Sequence, residues 1–381
     1  MLNFGRENTS LIAKWWRNVD KQILFLFIAL FFLGLLFSFS STSSVVADKM
    51  NKQTYFFFIK HFIFVIISLF IIVSISIQEK KELIKFLPIL FFISILLLAL
   101  IPFFGVEVKG SKRWMDLPLL PRFQPVEFVK PLFIIFVAKI IVINDKLNIY
   151  YRYLYSFTVL ILISIFLINQ PDLGQTLLLA SSWVTMIFIS GFNMVVLAFL
   201  GVLFLGLMVL LIFFFPEKFG YIFIRIKTFI DPKAGDNFQS QKALDAIKQG
   251  GLTGQGMGEG ILKDKVPEAH TDYIISVISE EFGAVFVLFI VIGFIYIAYR
   301  VLNKVFLIKD EFIKLSLVGL VSLLIIQTFI HIGVNIRLLP TTGMTLPFLS
   351  YGGSSLIGSS IIAGIILNFT RKDTTRHNSN E

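Results

Sequence analysis

Residues 267–300 read PEAHTDYIISVISEEFGAVFVLFIVIGFIYIAYR. The first six, Pro267-Glu268-Ala269-His270-Thr271-Asp272, close a long polar insertion. From Tyr273 to Arg300 the chain is an apolar run long enough to cross the ~30 Å hydrocarbon core of a bilayer. Asp272 therefore stands where water meets hydrocarbon. A carboxylate at that level is costly and is usually functional. The competing role is local: Thr271 or Asp272 could N-cap the helix that starts beside them, accepting a bond from an orphan backbone N–H.

Further runs of the same kind occupy 22–40, 55–77, 83–104, 125–144, 151–169, 173–191, 194–215, 312–335 and 346–369, for about ten spans in all. The 381 residues are 56% hydrophobic, include 44 Phe and are only 15% charged, too few polar side chains to coat a soluble domain of this size. A β-barrel would show short alternating segments, whereas these runs are continuous. The reading is an all-α polytopic integral membrane protein, a single membrane domain over 1–381 with no internal repeat.

An even count of spans puts both termini on one side. Short loops and span ends on that side carry about twice as many Lys and Arg as those on the other, which places both termini in the cytoplasm. The segment 1–21 holds Arg6, Lys14, Arg17 and Lys21 ahead of an apolar run without a small-residue cleavage site, so the first span reads as a retained anchor. The loop 217–272 between spans seven and eight then lies outside, and the polar tail 371–381 is a disordered cytoplasmic end. The net charge of +10 suits the positive-inside rule and anionic lipid head groups better than nucleic acid. With no cysteine there is neither a disulfide nor thiol chemistry.

Four stretches break the apolar pattern, at 105–131, 169–176, 217–272 and 335–355, and on this topology all sit at or just inside the outer face. Polar segments converging on one side of a bundle suggest a shared cavity. In the first, Glu127 and Lys130 are three apart and share a helix face, so they can pair. Buried, such a pair would line a polar site; at a span end, Lys130 would snorkel and Trp114 would anchor the interface. Arg113 carries a planar fork that matches phosphate oxygens.

In the second stretch, Asp172 follows Pro171 at a helix start, a capping position, with Gln175 and Thr176 suited to bonding between helices. In the third, Tyr221, Ile222, Arg225, Ile226 and Phe229 have the spacing of a short amphipathic surface helix. Residues 239–249 read as a polar helix. Gly250, Gly251, Gly254, Gly256, Gly258 and Gly260 then form a loop that could bring backbone N–H groups to phosphate, act as a mobile gate, or simply turn. The P-loop pattern is absent. The fourth, Asn335-Ile336-Arg337-Leu338-Leu339-Pro340-Thr341-Thr342-Gly343-Met344-Thr345-Leu346-Pro347-Phe348-Leu349-Ser350-Tyr351-Gly352-Gly353-Ser354-Ser355, breaks the helix at membrane depth. That is tolerated only where protein or a wet cavity covers the backbone.

These stretches resemble the SEDS family, the shape, elongation, division and sporulation proteins. The likeness covers nearly the whole chain, and Asn335–Ser355 carries its most specific signature. The stretches 110–131 and 267–272 match in order and spacing. Pro267–Asp272, Gly343–Phe348 and Trp15-Trp16 are closer to the division-type than to the elongation-type members. Val126, Lys112, Tyr273 and Ile336-Arg337 depart from the usual pattern, and none is at the acid position.

The resemblance implies a peptidoglycan glycosyltransferase that joins lipid II, a disaccharide-pentapeptide on undecaprenyl pyrophosphate, at the outer face of the cytoplasmic membrane, with septal wall synthesis in division as its setting. The family's essential acid falls on Asp272. Arg113, Lys130, Glu127, His270, Thr271, Ser350, Gly352, Gly353 and Ser354 are the expected substrate contacts. No residue is assigned to a metal, although a divalent cation, Mg2+ or Mn2+, could accompany the pyrophosphate. The implied partners are a class B penicillin-binding protein, which supplies transpeptidation, other division proteins and membrane lipid. A lipid II flippase and an elongation-type polymerase remain the alternatives. The lack of internal repeats weighs against alternating access, and a recruiting scaffold would place no chemical demand on Asp272.

Overall fold

The computed structural model describes residues 10–41, 55–108, 110–116, 121–143, 147–231 and 237–372. The first nine residues, the 42–54 connection with Lys49 and Lys52, Lys146 and the tail beyond Lys372 lie outside them. The helices are α1 Leu11–Asn18, α2 Lys21–Ser41, α3 Phe56–Ile77, α4 Lys80–Phe104, α5 Val126–Ile143, α6 Ile149–Asn169, α7 Leu173–Ile189, α8 Met194–Phe214, α9 Pro216–Ile230, α10 Phe238–Gly250, α11 Ile274–Val305, α12 Glu311–Asn335 and α13 Gly353–Thr370.

Each of the expected spans falls on one of these helices. Seven helices among the described residues are long and apolar enough to cross a membrane. The other three expected spans fall on α5, α7 and α8: α5 carries Glu127, Lys130 and Lys139, α7 has 17 residues, and the apolar stretch recognised in α8 is Met194–Phe204. The spans α12 and α13 are the most enclosed, 67% and 83% buried against 50% or less for the rest, so they form the centre of the bundle. Gly319 lets α12 close on α5 and α7, because a Cβ there would lie 2.5 Å from Ile134 Cγ2 and 2.8 Å from Met186 Sδ. Around this centre, Phe70, Phe92, Ile165 and Phe199 stay more than half exposed, forming an apolar belt that only hydrocarbon can cover.

Two features differ from the sequence reading. Residues 105–115 form an antiparallel hairpin, β1 Gly105–Val108 and β2 Ser111–Met115, so the fold is not wholly helical. Gly110 takes positive φ (75°) in its turn. The span at 273–300 is also not one helix: Gly283 breaks α11 with φ 81° and ψ 171°, a conformation essentially confined to glycine.

The first and last described segments meet at one end of the bundle. The Lys372 N–H donates to Asn18 O at 3.2 Å, and the Lys304 Nζ to Thr370 O at 3.2 Å. Trp15 Nε1 donates to Ser76 Oγ, fastening α1 across α3. The four polar stretches gather elsewhere, through contacts described next.

Candidate active site

Asp272 ends the turn that leads into α11 and is half-buried. The N-cap of α11 is Tyr273, which makes no side-chain cap bond, so the capping position does not fall to Asp272 or Thr271. Thr271 Oγ1 instead donates to Glu268 Oε2 at 3.0 Å. Glu268 has φ 57°, and Arg337 and Phe348 in the facing segment have φ 58° and 66°. Backbone held in this sparsely populated region costs on the order of 1–3 kcal/mol and clusters at functional sites.

Residues 343–351 pack over this turn. Ser350 Oγ donates to Thr271 O at 2.7 Å, and Tyr351 N donates to His270 O at 2.9 Å. The His270 ring lies on Phe57 of α3 with centroids 4.8 Å apart. Gly343, with φ 72°, leaves an opening: a Cβ built on it would stand 3.7 Å from Asp272 Oδ2 and 4.0 Å from Arg113 Nη1. The carboxylate and the guanidinium thus both approach the same glycine, although 159 residues separate them in the chain.

Arg113 is aimed by its neighbours. Its Nε donates to Gln170 O (2.9 Å), its Nη2 to Pro171 O (2.6 Å), and Nη1 lies 3.9 Å from Asp172 Oδ2. The fork is mostly engaged by the α6–α7 turn, so what it presents toward Asp272 is the Nη1 corner and its charge. Asp172 caps α7 through Gln175 N, as its position suggested, and accepts from Gln124 Nε2 at 3.2 Å. Burial raises the Asp172 carboxyl against the opposing pull of Arg113. Lys112, which precedes Arg113 in the chain, is exposed.

Glu127 and Lys130 do pair, at 2.9 Å, but deep in the bundle, with the lysine 1% exposed. Gln175 Nε2 donates to Glu127 Oε1, and Lys130 Nζ to Gln327 Oε1, both at 3.1 Å. The pair therefore sits behind the opening, as a satisfied buried ion pair. Gln327 continues the chain of bonds by donating to Thr345 O at 2.9 Å.

Gln327, His331 and Asn335 lie four residues apart on one face of α12. Each bonds a backbone carbonyl of the overlying segments: Gln327 Nε2 on Thr345 O (2.9 Å), His331 Nδ1 on Met344 O (2.8 Å) and Asn335 Nδ2 on Asp272 O (3.1 Å). This ladder sets Asp272 and Gly343 in register. Sequence reading assigned no role to Gln327 or His331 and took Asn335 only as the start of the 335–355 stretch, although their i, i+4, i+8 spacing in an apolar helix was a visible signal.

Of the remaining expected contacts, Gly353 serves close packing, since a Cβ there would overlap the Phe64 ring. Ser354 is 4% exposed, and Gly352 holds the N-cap of α13. The glycine-rich loop splices into the break in α11. Gln255 N and Gly256 N donate to Glu280 O and Glu281 O, and Ala284 N and Val285 N donate to Gly251 O and Leu252 O. These bonds replace those the helix loses at Gly283. Beside the splice, Glu280 accepts from Leu262 N and Lys263 N at 2.7 Å, and Glu281 is bound by Lys263 Nζ and Ser40 Oγ. Glu280 and Glu281 are thus structural buried carboxylates. Among the described residues no group of three or more His, Cys, Asp or Glu could hold a metal ion by itself.

A profile of the FtsW/RodA/SpoVE family of cell cycle proteins matches residues 21–375. A probable peptidoglycan glycosyltransferase FtsW from Caulobacter vibrioides is 30% identical over 377 residues, covering 97% of this chain and 93% of the relative. Its counterpart from Trichlorobacter lovleyi is 34% identical over 366 residues, covering 92% and 93%. Among solved structures, the rod shape determining protein RodA of Thermus thermophilus superposes with a TM-score of 0.66 at 22% identity, covering 93% of this chain and 97% of that one. A chain from a peptidoglycan synthase complex, in work on the coordination of polymerization and crosslinking, gives a TM-score of 0.71 at 23% identity, covering 92% and 97%.

Proposed function

The chain belongs to the FtsW/RodA/SpoVE family of cell cycle proteins, the SEDS family, and from that membership we propose how it works as a division-type peptidoglycan glycosyltransferase. It is a multi-pass membrane protein. The substrate is lipid II, and the reaction takes place at the outer leaflet of the cytoplasmic membrane, with both termini inside and the 217–272 loop outside. The observation that carries the reading is the placement of Asp272 Oδ2 and Arg113 Nη1 within 4.0 Å of one point on Gly343.

The 4-hydroxyl of the acceptor sugar attacks the anomeric carbon of the donor, and the bond from that carbon to pyrophosphate breaks. The hydroxyl proton passes to the Asp272 carboxylate, which acts as general base within hydrogen-bond reach. Negative charge develops on the departing pyrophosphate, and the Arg113 guanidinium, already oriented by Gln170 O and Pro171 O, faces it. With one carboxylate and no carboxylate nucleophile, the displacement inverts the anomeric centre; the two-carboxylate pattern of glycosidases does not apply.

Lys130 and Glu127 work from behind, through Gln327 and Thr345 O, to hold the loop that shapes the opening. A divalent cation, Mg2+ or Mn2+, would bind through the phosphate oxygens of the substrate and would neutralise charge on the leaving group, with no residue assigned to it. A class B penicillin-binding protein supplies the crosslinking step, and the septum is the place of action. The test is glycan formation from purified lipid II by the detergent-solubilised chain, with Asp272→Asn beside the wild type.

A further inference from the structure

Thr341, two residues before Gly343 in the chain, lines a cavity of about 220 Å³ between α9, α10 and the segment 337–341. Its described lining includes Arg225, Arg337, Thr228, Ser240 and Thr341, two cations and three hydroxyls with no carboxylate. Arg337 is held in place by Gln241 Oε1 at 2.7 Å, at a backbone φ of 58°. Arg225 makes one long bond, 3.4 Å, to Thr341 O. Close by, the enclosed Tyr221 Oη has no hydrogen-bond partner among the described residues. Burial and the neighbouring Arg113 guanidinium lower the Arg225 pKa below its ordinary value, with Asp172 and Tyr221 opposing them, and the guanidinium stays charged.

The position of the cavity matters as much as its charge. Helix α9 follows α8 directly and leaves Phe223, Ile226 and Ile230 exposed while Ile222 is buried, so it lies in the membrane interface with Arg225 at head-group level. The polymerisation reaction itself requires two diphosphates at that level. One belongs to the donor and leaves; the other belongs to the acceptor and is retained. Arg113, beside Asp272, faces the first, and it cannot hold both.

We propose that Arg225 and Arg337 form a second oxyanion subsite, which holds the retained diphosphate of the lipid-linked acceptor while its sugar reaches toward Asp272. The proposal rests on the polymerase reading above. Two guanidiniums converging on one cavity suit the phosphate oxygens better than two lysines would, because each fork offers paired N–H groups.

Binding of fluorescent lipid II to the purified full chain in detergent tests this without turnover. Arg225→Gln and Arg337→Gln should each weaken binding roughly tenfold or more, as expected for one lost charge-assisted contact. Inorganic pyrophosphate should compete with lipid II in the wild type and compete less well in either variant. If a Gln variant fails to accumulate, Arg225→Lys, which keeps charge but loses the fork, should show an intermediate weakening. Unchanged affinity in the variants overturns the subsite. A soluble disaccharide-pentapeptide lacking diphosphate separates the two sources of negative charge. If its competition is weakened by the same substitutions, the cavity reads a peptide carboxylate and the proposal fails. A wild type that binds lipid II through these arginines but makes no glycan sinks the polymerase reading instead.

Discussion

Asp272 and Arg113 share one glycine: the carboxylate oxygen Oδ2 and the guanidinium Nη1 would lie 3.7 and 4.0 Å from a methyl group placed on Gly343. A base and a cation that both stand within 4.0 Å of one point can act on groups of the same substrate.

Gly343→Ala should therefore be a strong loss of activity at small structural cost. Alanine at φ 72° costs about 1–2 kcal/mol, and its methyl group would touch both the Asp272 carboxylate and the Arg113 guanidinium at ordinary contact distance. Detergent-extracted protein should still elute as a single species, while the rate of glycan formation falls at least tenfold. A fully active alanine variant would mean that the reaction happens elsewhere.

The α12 ladder gives a second test. Asn335→Asp preserves shape but removes the N–H donor held 3.1 Å from Asp272 O. Misplacing a catalytic group by on the order of 1 Å can cost ~10²-fold. The turnover number should drop while half-saturation by lipid II stays close to wild type. A change in half-saturation alone would assign Asn335 to substrate binding.

Two glycines of α11 should behave oppositely. A Cβ on Gly283 would overlap Leu252 O and force alanine into a glycine-only conformation, whereas Gly293 has no neighbour within 4 Å. Gly283→Ala should lose folded protein, with a penalty above about 4 kcal/mol, as several named defects coincide. Gly293→Ala should be neutral or stabilising by up to ~1 kcal/mol. Yields after extraction and thermal unfolding of the two variants decide the matter.

At the opposite end, Asp20 Oδ2 meets Lys304 Nζ at 2.6 Å and Arg300 Nη2 at 3.2 Å. Burial raises this carboxyl, but the Lys304 contact, the Ile23 N–H and Arg300 outweigh burial and hold it below its ordinary value. A depressed carboxyl stabilises the fold above its unfolded pKa, near 4, and the contribution disappears as pH falls through the folded value. Asp20→Asn keeps the cap on α2 and loses the ion pair. It should unfold more easily at pH 7, by on the order of 1 kcal/mol, and lose less than the wild type when the pH is taken below about 4. Parallel pH profiles would remove Asp20 from the account.

Much of the architecture was legible because a bilayer leaves the chain few choices: backbone in hydrocarbon must be helical, so each long apolar run became a helix. Helix α9 was legible from the spacing of Tyr221, Arg225 and Phe229, and α10 from its polar pattern over 239–249. The convergence of four polar stretches was also visible, and Arg113 joins Asp272 from a distance that only the fold closes. Other features depend on tertiary partners that local patterns do not encode. The hairpin of β1 and β2 is nine residues of strand at the edge of a span. The break at Gly283 exists because loop backbone, Gly251 to Gly256, supplies the missing bonds. The same glycines read equally well as a phosphate loop, and the pattern alone does not show that Gly250 and Gly254 pack closely on Ser279 and Glu281. Lys130 was recognisable as a partner of Glu127, but its depth follows from α7 and α12 closing over it.

The central claim is that Asp272 takes the proton. An N-cap or a packing role would be served by Asn as well as by Asp, whereas a general base would not. The measurement is the initial rate of glycan synthesis from saturating lipid II by purified wild-type and Asp272→Asn protein, both shown to be folded and to bind lipid II. A general base contributes ~10²–10⁴-fold, so the Asn variant should fall by at least two orders of magnitude and should not recover at higher substrate concentration. An Asn variant that polymerises at close to the wild-type rate would contradict the account.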